Sequence, residues 1–424
     1  MIMMPRQTSF YAQLIQALPS ALIGFLFSYI LYLLYAKLMP VSEYGAFGFW
    51  LSNMQILMVL TCLGFNRSII KFFALYQRYQ QVKNSSGLFL FTTIMVLSLS
   101  IIFGFLAYYI AEDSFHPDSS TYRILVFGLW VLPLFAFIEI NTAIFRGFGL
   151  SMYALIPSKV ILNVVAVMLS VYLLEEGEYL NAHEGIIVIA LAMIFVVIVQ
   201  WLCIYCKVPS KYYATEPKFE IKVWLKTVLP MFISGACYFI ISKVSPVLIN
   251  FFSNEHQNGL YFVALQLSLL IELPRLVIVT VVVNKIPVLY SEKKHSDIQI
   301  LARKSNRFVL VTSGGLGVLL VIFGHEILHY LGKDYAVAYR ILIVLVAARF
   351  IASYSPFATQ LLNLTGHQLI PTIVFGITLI INIILNIFFI WWMGIMGAAL
   401  ALLLSFVIAK LILNWLVLKH LKIN

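Results

Sequence analysis

The feature that most constrains this chain is a succession of about twelve apolar runs, each roughly 20 residues long, separated by short polar breaks. A helix of that length crosses the hydrocarbon core of a bilayer, and in lipid only helices and closed barrels satisfy all their backbone hydrogen bonds. We therefore predict an all-α polytopic membrane protein. The predicted spans are 18–38, 46–66, 88–111, 122–145, 153–174, 185–206, 227–252, 259–286, 306–327, 336–362, 370–391 and 397–418.

Composition supports a chain solvated by lipid. Of its 424 residues, 62% are hydrophobic and 11% are charged, whereas soluble domains carry roughly 25% charged residues. The net charge of +11 is of the sign expected for a nucleic-acid binder. Most of the basic residues lie in the breaks between apolar runs, however, so we expect no nucleic-acid partner and interpret them by the orientation rule for membrane proteins.

Basic residues divide unequally between the two sets of alternating breaks. One set holds nineteen Lys and Arg residues, whereas the opposite set holds only Lys37, Arg123 and Lys333, together with the acidic stretches 112–113 and 175–178. The positive-inside rule then predicts cytoplasmic N- and C-termini. We expect a multi-pass protein of the bacterial inner membrane.

A weak internal repeat relates the two halves at an offset of 217. The offset pairs Tyr44 with Tyr261 and Gly149 with Gly366. Six helices per half give both halves the same orientation, which predicts two pseudo-symmetric lobes, as in alternating-access transporters. The expected parts are an N-terminal lobe (1–208), a cytoplasmic linker (209–226) and a C-terminal lobe (227–424).

Ionisable residues inside spans usually face the bundle interior or an aqueous cavity. Those predicted here are Glu139, Lys159, Lys243, Glu272, Arg275, Glu326, Arg340, Arg349 and Lys410. We expect Glu326, Arg340 and Lys410 to snorkel from nearby helix ends.

Two local ion pairs are predicted among the remaining charges. Glu272 and Arg275 are one helical turn apart, and Glu139 and Lys159 lie at similar depth on sequential helices. Pairing there would leave Lys243 and Arg349 as uncompensated cations, which predicts a cavity for an anion.

Other polar and proline positions have two interpretations each. Asn382 and Asn386 are suited either to sugar hydrogen bonds or to bonds between helices. Prolines inside spans are candidate kinks or plain packing positions; they are Pro133, Pro157, Pro246, Pro274 and Pro356.

One motif matches a zinc enzyme. Residues 325–329 spell HEILH, the H-E-x-x-H pattern in which two histidines bind zinc and the glutamate acts as general base. No Asp lies inside a predicted span to supply a third ligand, and the motif sits at the end of its span. We interpret it as a chance match and predict no metal, no cofactor and no enzymatic activity.

Ordered motifs along nearly the whole chain resemble the Wzx-type O-antigen flippases. These flippases belong to the polysaccharide branch of the multidrug/oligosaccharidyl-lipid/polysaccharide flippase superfamily. The motifs are 38–47 (LMPVSEYGAF), 63–65 (LGF), 145–149 (FRGFG), 229–230 (LP), 259–261 (GLY), 385–386 (LN) and 393–399 (MGIMGAA).

The resemblance implies a MATE-like bundle of twelve helices. It would flip undecaprenyl-pyrophosphate-linked oligosaccharides from the cytoplasmic to the periplasmic leaflet. The family's cationic cavity residues are carried onto Lys243, Arg275 and Arg349, and Glu139, Lys159 and Glu272 are further candidates for substrate binding.

The same resemblance suggests what else would interact with the chain. Expected partners are membrane lipid, other polysaccharide assembly proteins and an H⁺ or Na⁺ counter-ion. The acidic residue common in the family's seventh helix is absent, and Lys243 lies nearby instead. A simple cation-coupled scheme is therefore in doubt.

Three alternatives remain open from sequence. A drug/cation antiporter of the same superfamily should have an acidic cavity. A peptidoglycan-precursor flippase is chemically close but typically has two more helices. An intramembrane zinc metalloprotease would bind zinc.

Overall fold

The computed structural model describes residues 10–116, 119–174, 179–291, 295–354, 356–364 and 368–421. The acidic stretch 175–178 and Gly366 of the repeat lie outside them. Nine α-helices make up the described part of the N-terminal half. They are α1 (Phe10–Leu38), α2 (Val41–Cys62), α3 (Phe65–Arg78), α4 (Val82–Ser114), α5 (Ser120–Gly128), α6 (Leu132–Gly147), α7 (Ser151–Leu155), α8 (Leu162–Leu174) and α9 (Ala182–Lys207).

Eight α-helices make up the described part of the C-terminal half. They are α10 (Ile221–Phe252), α11 (Glu255–Ser268), α12 (Leu273–Ser291), α13 (His295–Leu331), α14 (Tyr339–Ser353), α15 (Pro356–Leu364), α16 (Leu369–Met393) and α17 (Ile395–Leu421). No strand occurs within the described ranges. The all-α prediction is confirmed.

Eleven helical stretches of the described chain are long and apolar enough to cross a membrane. The apolar part of α1, Gly24–Leu38, adds a shorter twelfth. The predicted fold of about twelve membrane helices is thus confirmed. Helix limits differ from the predicted spans at several places. For example, α10 begins at Ile221 rather than 227, and α13 begins at His295 rather than 306. The span predicted over 336–362 divides between α14 and α15.

Several membrane passes are interrupted where the sequence removes a backbone donor. Pro133 and Pro274 each follow a short 3-10 turn, Leu129–Val131 and Leu269–Glu272. Pro157 lies in a π-helical turn, Ile156–Ile161. Proline lacks an N–H and so breaks the regular ladder. Each break re-aims the side chains around it, and Glu272 lies on one of them.

At one end of the bundle, here called the gate end, the N-termini of α2 and α11 cross without intervening side chains. A β-carbon on Gly45 would lie 1.9 Å from the carbonyl oxygen of Glu255, and one on Gly259 would lie 2.0 Å from that of Val41. The Asn258 amide donates to the Gly45 carbonyl at 2.9 Å. Only glycine permits backbones this close. The two halves are therefore in direct backbone contact here.

Aromatic rings fill the space around this crossing. The ring of Tyr44 lies 5.2 Å from that of Phe262 and 6.3 Å from that of Tyr335, and all three residues are buried. Tyr44 and Tyr261 of the internal repeat are both completely buried beside the crossing. Packing of this density excludes water. The bundle is closed at the gate end.

Polar contacts also join the halves at the gate end. The Glu255 carboxylate accepts hydrogen bonds from Ser120 and from Thr121, the latter at 2.8 Å. Thr121 in turn accepts from the Asn250 amide at 3.0 Å. Lys37 donates to the Tyr330 hydroxyl at 3.2 Å. These bonds must break if the halves separate at this end.

The opposite end, here called the basic end, holds the segment between α9 and α10 against the start of α4. Ser85 and Ser86 donate to the carbonyls of Tyr212 and Thr215 at 3.1 and 2.7 Å. The Lys83 ammonium donates to Glu216 at 2.9 Å, and this bond lowers the pKa of that carboxyl. A β-carbon on Gly87 would lie 2.1 Å from the Lys218 carbonyl oxygen. The segment is therefore docked rather than a free tether.

Substituting Gly87 by valine is expected to detach this segment, because the added side chain would overlap the backbone of Lys218. Trypsin should then cleave after Lys211 and Lys218 at least severalfold faster than in the wild type. The matched control is Gly104→Val on the same helix, where an added β-carbon meets nothing within 4 Å. Equal cleavage of the two variants would contradict the docking contact.

Candidate functional site

A central cavity of about 580 Å³ lies between the gate-end crossing and the basic end. Helix α10 forms one wall with residues between Ser234 and Lys243. The turn Leu269–Glu272 and helices α12, α14, α15, α16 and α17 supply most of the remaining lining. From the N-terminal half, only Arg67 of α3 lines it among the described residues. The volume falls within the range of sites for organic ligands.

An ion-pair bridge on the wall of this cavity joins three helical segments. Glu272 accepts from Arg275 at 2.6 Å through one carboxylate oxygen and from Arg349 at 2.6 Å through the other. Arg349 is 1% exposed. The Arg275 guanidinium also lies over the Tyr238 ring, 5.5 Å from its centroid. A carboxylate that bridges two arginines is held as an anion, so it is unsuited to releasing and taking up protons.

Two lysines add to the positive charge around this bridge. Lys243 lies close enough to Arg349 and Glu272 to interact with both electrostatically. Lys410 likewise lies close enough to Arg275 and Glu272 to interact with both electrostatically. Within the described chain, no carboxylate lies at ion-pair distance from Lys243. Among the described residues, five cationic side chains therefore line the cavity against the single carboxylate of Glu272.

A second cavity of about 240 Å³ adjoins the first on the side of the basic end. The two share Arg67, Gly235 and Phe239 as lining residues. Arg146 and Glu139 line only the smaller one. Arg67 and Arg146 are both exposed, so the pair of cavities leads toward the basic end. From Phe232 to Lys243 the route follows α10 for roughly 17 Å, at 1.5 Å per residue.

Four of the six candidate residues predicted from sequence share the large cavity: Lys243, Glu272, Arg275 and Arg349. The predicted pair of Glu272 with Arg275 is formed. The expectation that Arg349 stays uncompensated was wrong, because Glu272 bridges to it as well. Sequence spacing identifies Arg275, one helical turn from Glu272, as its partner. It does not identify Arg349, which lies on another helix.

The other two candidates do not pair with each other as predicted. Glu139 faces the smaller cavity, where it lies near Arg67. Lys159 lies in the π-helical turn, with its first side-chain carbons against Gly24 of α1, and it lines neither cavity. A role for Lys159 or Glu139 in substrate binding stays a prediction.

Asn382 and Asn386 bond within the protein rather than face a cavity. The Asn382 amide donates to Ser405 of α17 at 2.9 Å, and the Asn386 amide donates to the Asn382 carbonyl at 2.9 Å. All three residues are completely buried. For Asn382 the structure supports hydrogen bonding between helices, whereas the Asn386 amide bonds within its own helix.

The H-E-x-x-H motif lies at the gate end of α13. Side chains of His325 and Glu326 are 52% and 79% exposed, and His329 is exposed too. Among the residues that the structure places, no group of three or more His, Cys, Asp or Glu side chains is arranged to hold a metal.

Comparison with known proteins assigns the chain to a family. The profile of a family described as polysaccharide biosynthesis protein matches residues 14–293, about two thirds of the sequence. This chain is a member of that polysaccharide biosynthesis family. The resemblance predicted from the motifs is confirmed at this level. No curated protein sequence matched the chain.

Solved structures show the same fold at low sequence identity. An inward-facing multidrug resistance MATE family transporter of the MOP superfamily is 13% identical, with a TM-score of 0.77 over 96% of this chain and 99% of that one. Lipid II flippase MurJ in an inward closed conformation is 17% identical, with a TM-score of 0.72 over 95% and 87%. An outward-facing MATE family transporter is 14% identical, with a TM-score of 0.66 over 97% and 96%.

The structure of this polysaccharide biosynthesis family member adds two cavity cations that sequence reasoning missed. Lys410 was expected to snorkel, which was wrong, since it is 8% exposed and lines the large cavity. Arg67 directly follows the predicted span 46–66 and so falls in a polar break of the sequence, yet it lies on α3, whose apolar residues at i, i+4 and i+7 (Phe65, Ile69, Phe72) are buried. This helical spacing of apolar residues is the sequence feature that could have placed Arg67 on a helix rather than in a loop.

Proposed function

We propose that this protein flips an undecaprenyl-pyrophosphate-linked oligosaccharide, such as an O-antigen repeat unit, from the cytoplasmic to the periplasmic leaflet of the inner membrane. The observation that carries the proposal is the cavity lining, in which five cations stand against one carboxylate in the part of the chain that the structure describes. Buried arginines bind phosphate oxygens through several donors at once. A cavity charged in this way favours a pyrophosphate and repels an organic cation.

The positive charge at the basic end and the closure of the gate end together support transport from the cytoplasmic to the periplasmic leaflet. Under this proposal the basic end faces the cytoplasm, as the distribution of Lys and Arg between breaks predicts. The headgroup enters through the smaller cavity beside Arg67 and Arg146, and the prenyl tail stays in lipid. The α2–α11 crossing blocks the periplasmic side until the halves rock. The higher TM-score to an inward-facing MATE transporter than to an outward-facing one agrees with this state.

The membrane potential assists such a movement. An inside-negative potential favours outward transfer by about 2.3 kcal/mol for each negative charge per 100 mV. Since Glu272 is held between two arginines, it is a poor carrier for protons. The potential is thus the simplest driving force consistent with the cavity.

A drug/cation antiporter is the second candidate because MATE transporters share the fold. The cationic lining argues against it, since a site for organic cations needs carboxylates or open aromatic faces. The ring of Tyr238, which lines the cavity, is already covered by Arg275.

Deleting the gene in its bacterial host tests the proposal. We expect a prenyl-pyrophosphate oligosaccharide to accumulate on the cytoplasmic leaflet, with its sugars protected from added glycosidase until the gene is restored. An unchanged pool of lipid-linked sugar, accompanied by increased sensitivity to cationic drugs, would favour the antiporter instead.

A further inference from the structure

The ion-pair bridge has more donors than its carboxylate can occupy. Each guanidinium presents five N–H groups, and Glu272 takes up one nitrogen of Arg275 and one of Arg349. Arg349 Nε and Nη2 and Arg275 Nε are buried and make no hydrogen bond within the described structure. Buried charged donors are normally satisfied. The pair of arginines is therefore suited to an anion with more oxygens than a carboxylate has.

The bridge is placed so that an incoming anion can reach it. Glu272, Arg275 and Arg349 all line the large cavity, together with Lys243. The side chains of Glu272 and Arg275 are 12% and 19% exposed, whereas that of Arg349 is 2% exposed. A phosphate group that enters from the basic end thus meets Glu272 and Arg275 first and competes with the carboxylate for Arg349.

The backbone at Glu272 is held by hydrogen bonds that do not involve its side chain. Glu272 ends the 3-10 turn Leu269–Glu272. The carbonyl of Ile271 accepts from Ser313 of α13 at 2.9 Å and from Ser353 of α14 at 3.4 Å. These two bonds hold the turn in place. The only described partners of the carboxylate are the two arginines, so its side chain can change rotamer without refolding the turn.

We propose that Glu272 is an internal competitor of the substrate phosphate: its carboxylate occupies the arginine pair when the cavity is empty and yields Arg349 to the phosphate when substrate binds. This inference rests on the proposed function. When the phosphate leaves, the Glu272 carboxylate pairs with Arg349 again. This pairing offsets the cost of leaving a buried arginine without an anion. The exchange limits how tightly the cavity holds its substrate and so permits release.

The proposal predicts that removing the negative charge of Glu272 strengthens phosphate binding and slows transport. Glu272→Gln removes the competing anion, so the purified full chain should bind farnesyl pyrophosphate about tenfold more tightly than the wild type. Flipping in proteoliposomes should fall severalfold because release slows. Glu272→Asp, too short to span both arginines, should bind with intermediate affinity. Farnesol, which lacks the phosphates, is the ligand control.

A purely structural role predicts the reverse, namely that Glu272→Gln loosens the arginines and weakens binding. The matched control is Glu326→Gln, the same substitution at a 79% exposed side chain, which should leave affinity and flipping unchanged. Affinity of Glu272→Gln at or below the wild-type value would overturn the exchange. Should the glutamine variant not fold, affinity of Glu272→Asp at or below the wild-type value would overturn it equally. If the wild type binds farnesyl pyrophosphate no better than farnesol, the proposed function itself fails.

Discussion

Arg349→Ala is expected to reduce flipping of the lipid-linked oligosaccharide by about a hundredfold, which corresponds to about 2.7 kcal/mol. Arg349 is the most deeply buried cation of the cavity lining, and its guanidinium is the donor for which phosphate and Glu272 compete. Its removal deletes several charge-assisted hydrogen bonds to the phosphate and leaves Glu272 with Arg275 alone. Initial flipping rates in proteoliposomes measure the effect.

The chain offers a matched control on the same helix. Arg340 lies in the first turn of α14 and is exposed, so Arg340→Ala should flip at the wild-type rate. Arg349→Lys keeps the charge but loses the planar fork of donors, and it should retain an intermediate rate. Comparable rates for Arg349→Ala and Arg340→Ala in folded protein would remove Arg349 from the substrate site.

Gly45→Val is expected to abolish transport by preventing closure at the gate end. The added side chain would overlap the Glu255 carbonyl, which lies 1.9 Å from the position of a β-carbon. Backbone atoms cannot move aside as a flexible side chain does, so α2 and α11 must separate. A cysteine placed at Ala46, 2% exposed in the closed bundle, reports this separation through labelling by a membrane-impermeant maleimide.

In the Gly45→Val background, labelling of the cysteine at Ala46 should rise at least tenfold. Gly376→Val is the control, because a β-carbon at Gly376 of α16 meets nothing within 4 Å. Thermal unfolding of the purified variant separates gate opening from loss of the fold. Continued protection of the cysteine, together with normal transport, would contradict the backbone contact.

The number and the class of the membrane elements follow from the sequence because helix length is fixed by bilayer thickness. Helix limits follow less well. The run over 336–362 is largely apolar, yet α14 ends at Ser353 and α15 begins at Pro356, because a proline lacks the N–H that would continue the preceding helix. Similarly, α10 extends to Ile221 because Trp224 is buried and donates to the Tyr76 hydroxyl at 2.7 Å, a contact on another helix.

For the candidate site, the sequence indicates which charged residues lie inside predicted spans, where burying a charge is costly. It does not indicate which of them form ion pairs with each other. Glu272 and Arg275 were paired correctly because helical spacing brings them together. The bond from Arg349 to Glu272 joins residues 77 positions apart, and its formation depends on how α14 packs against the turn before α12. Lys410 was misplaced for a related reason, since distance from a helix end does not specify which face of the helix is buried.

The most direct test of the cationic cavity is a transport assay with two cargoes in the same proteoliposomes. One cargo is a fluorescent undecaprenyl-pyrophosphate oligosaccharide and the other is a lipophilic organic cation. A cavity whose described lining holds five cations and one carboxylate should flip the pyrophosphate lipid, with inhibition by excess farnesyl pyrophosphate, and should not transport the organic cation. Transport of the organic cation without movement of the pyrophosphate lipid would contradict a phosphate-binding role for this cavity.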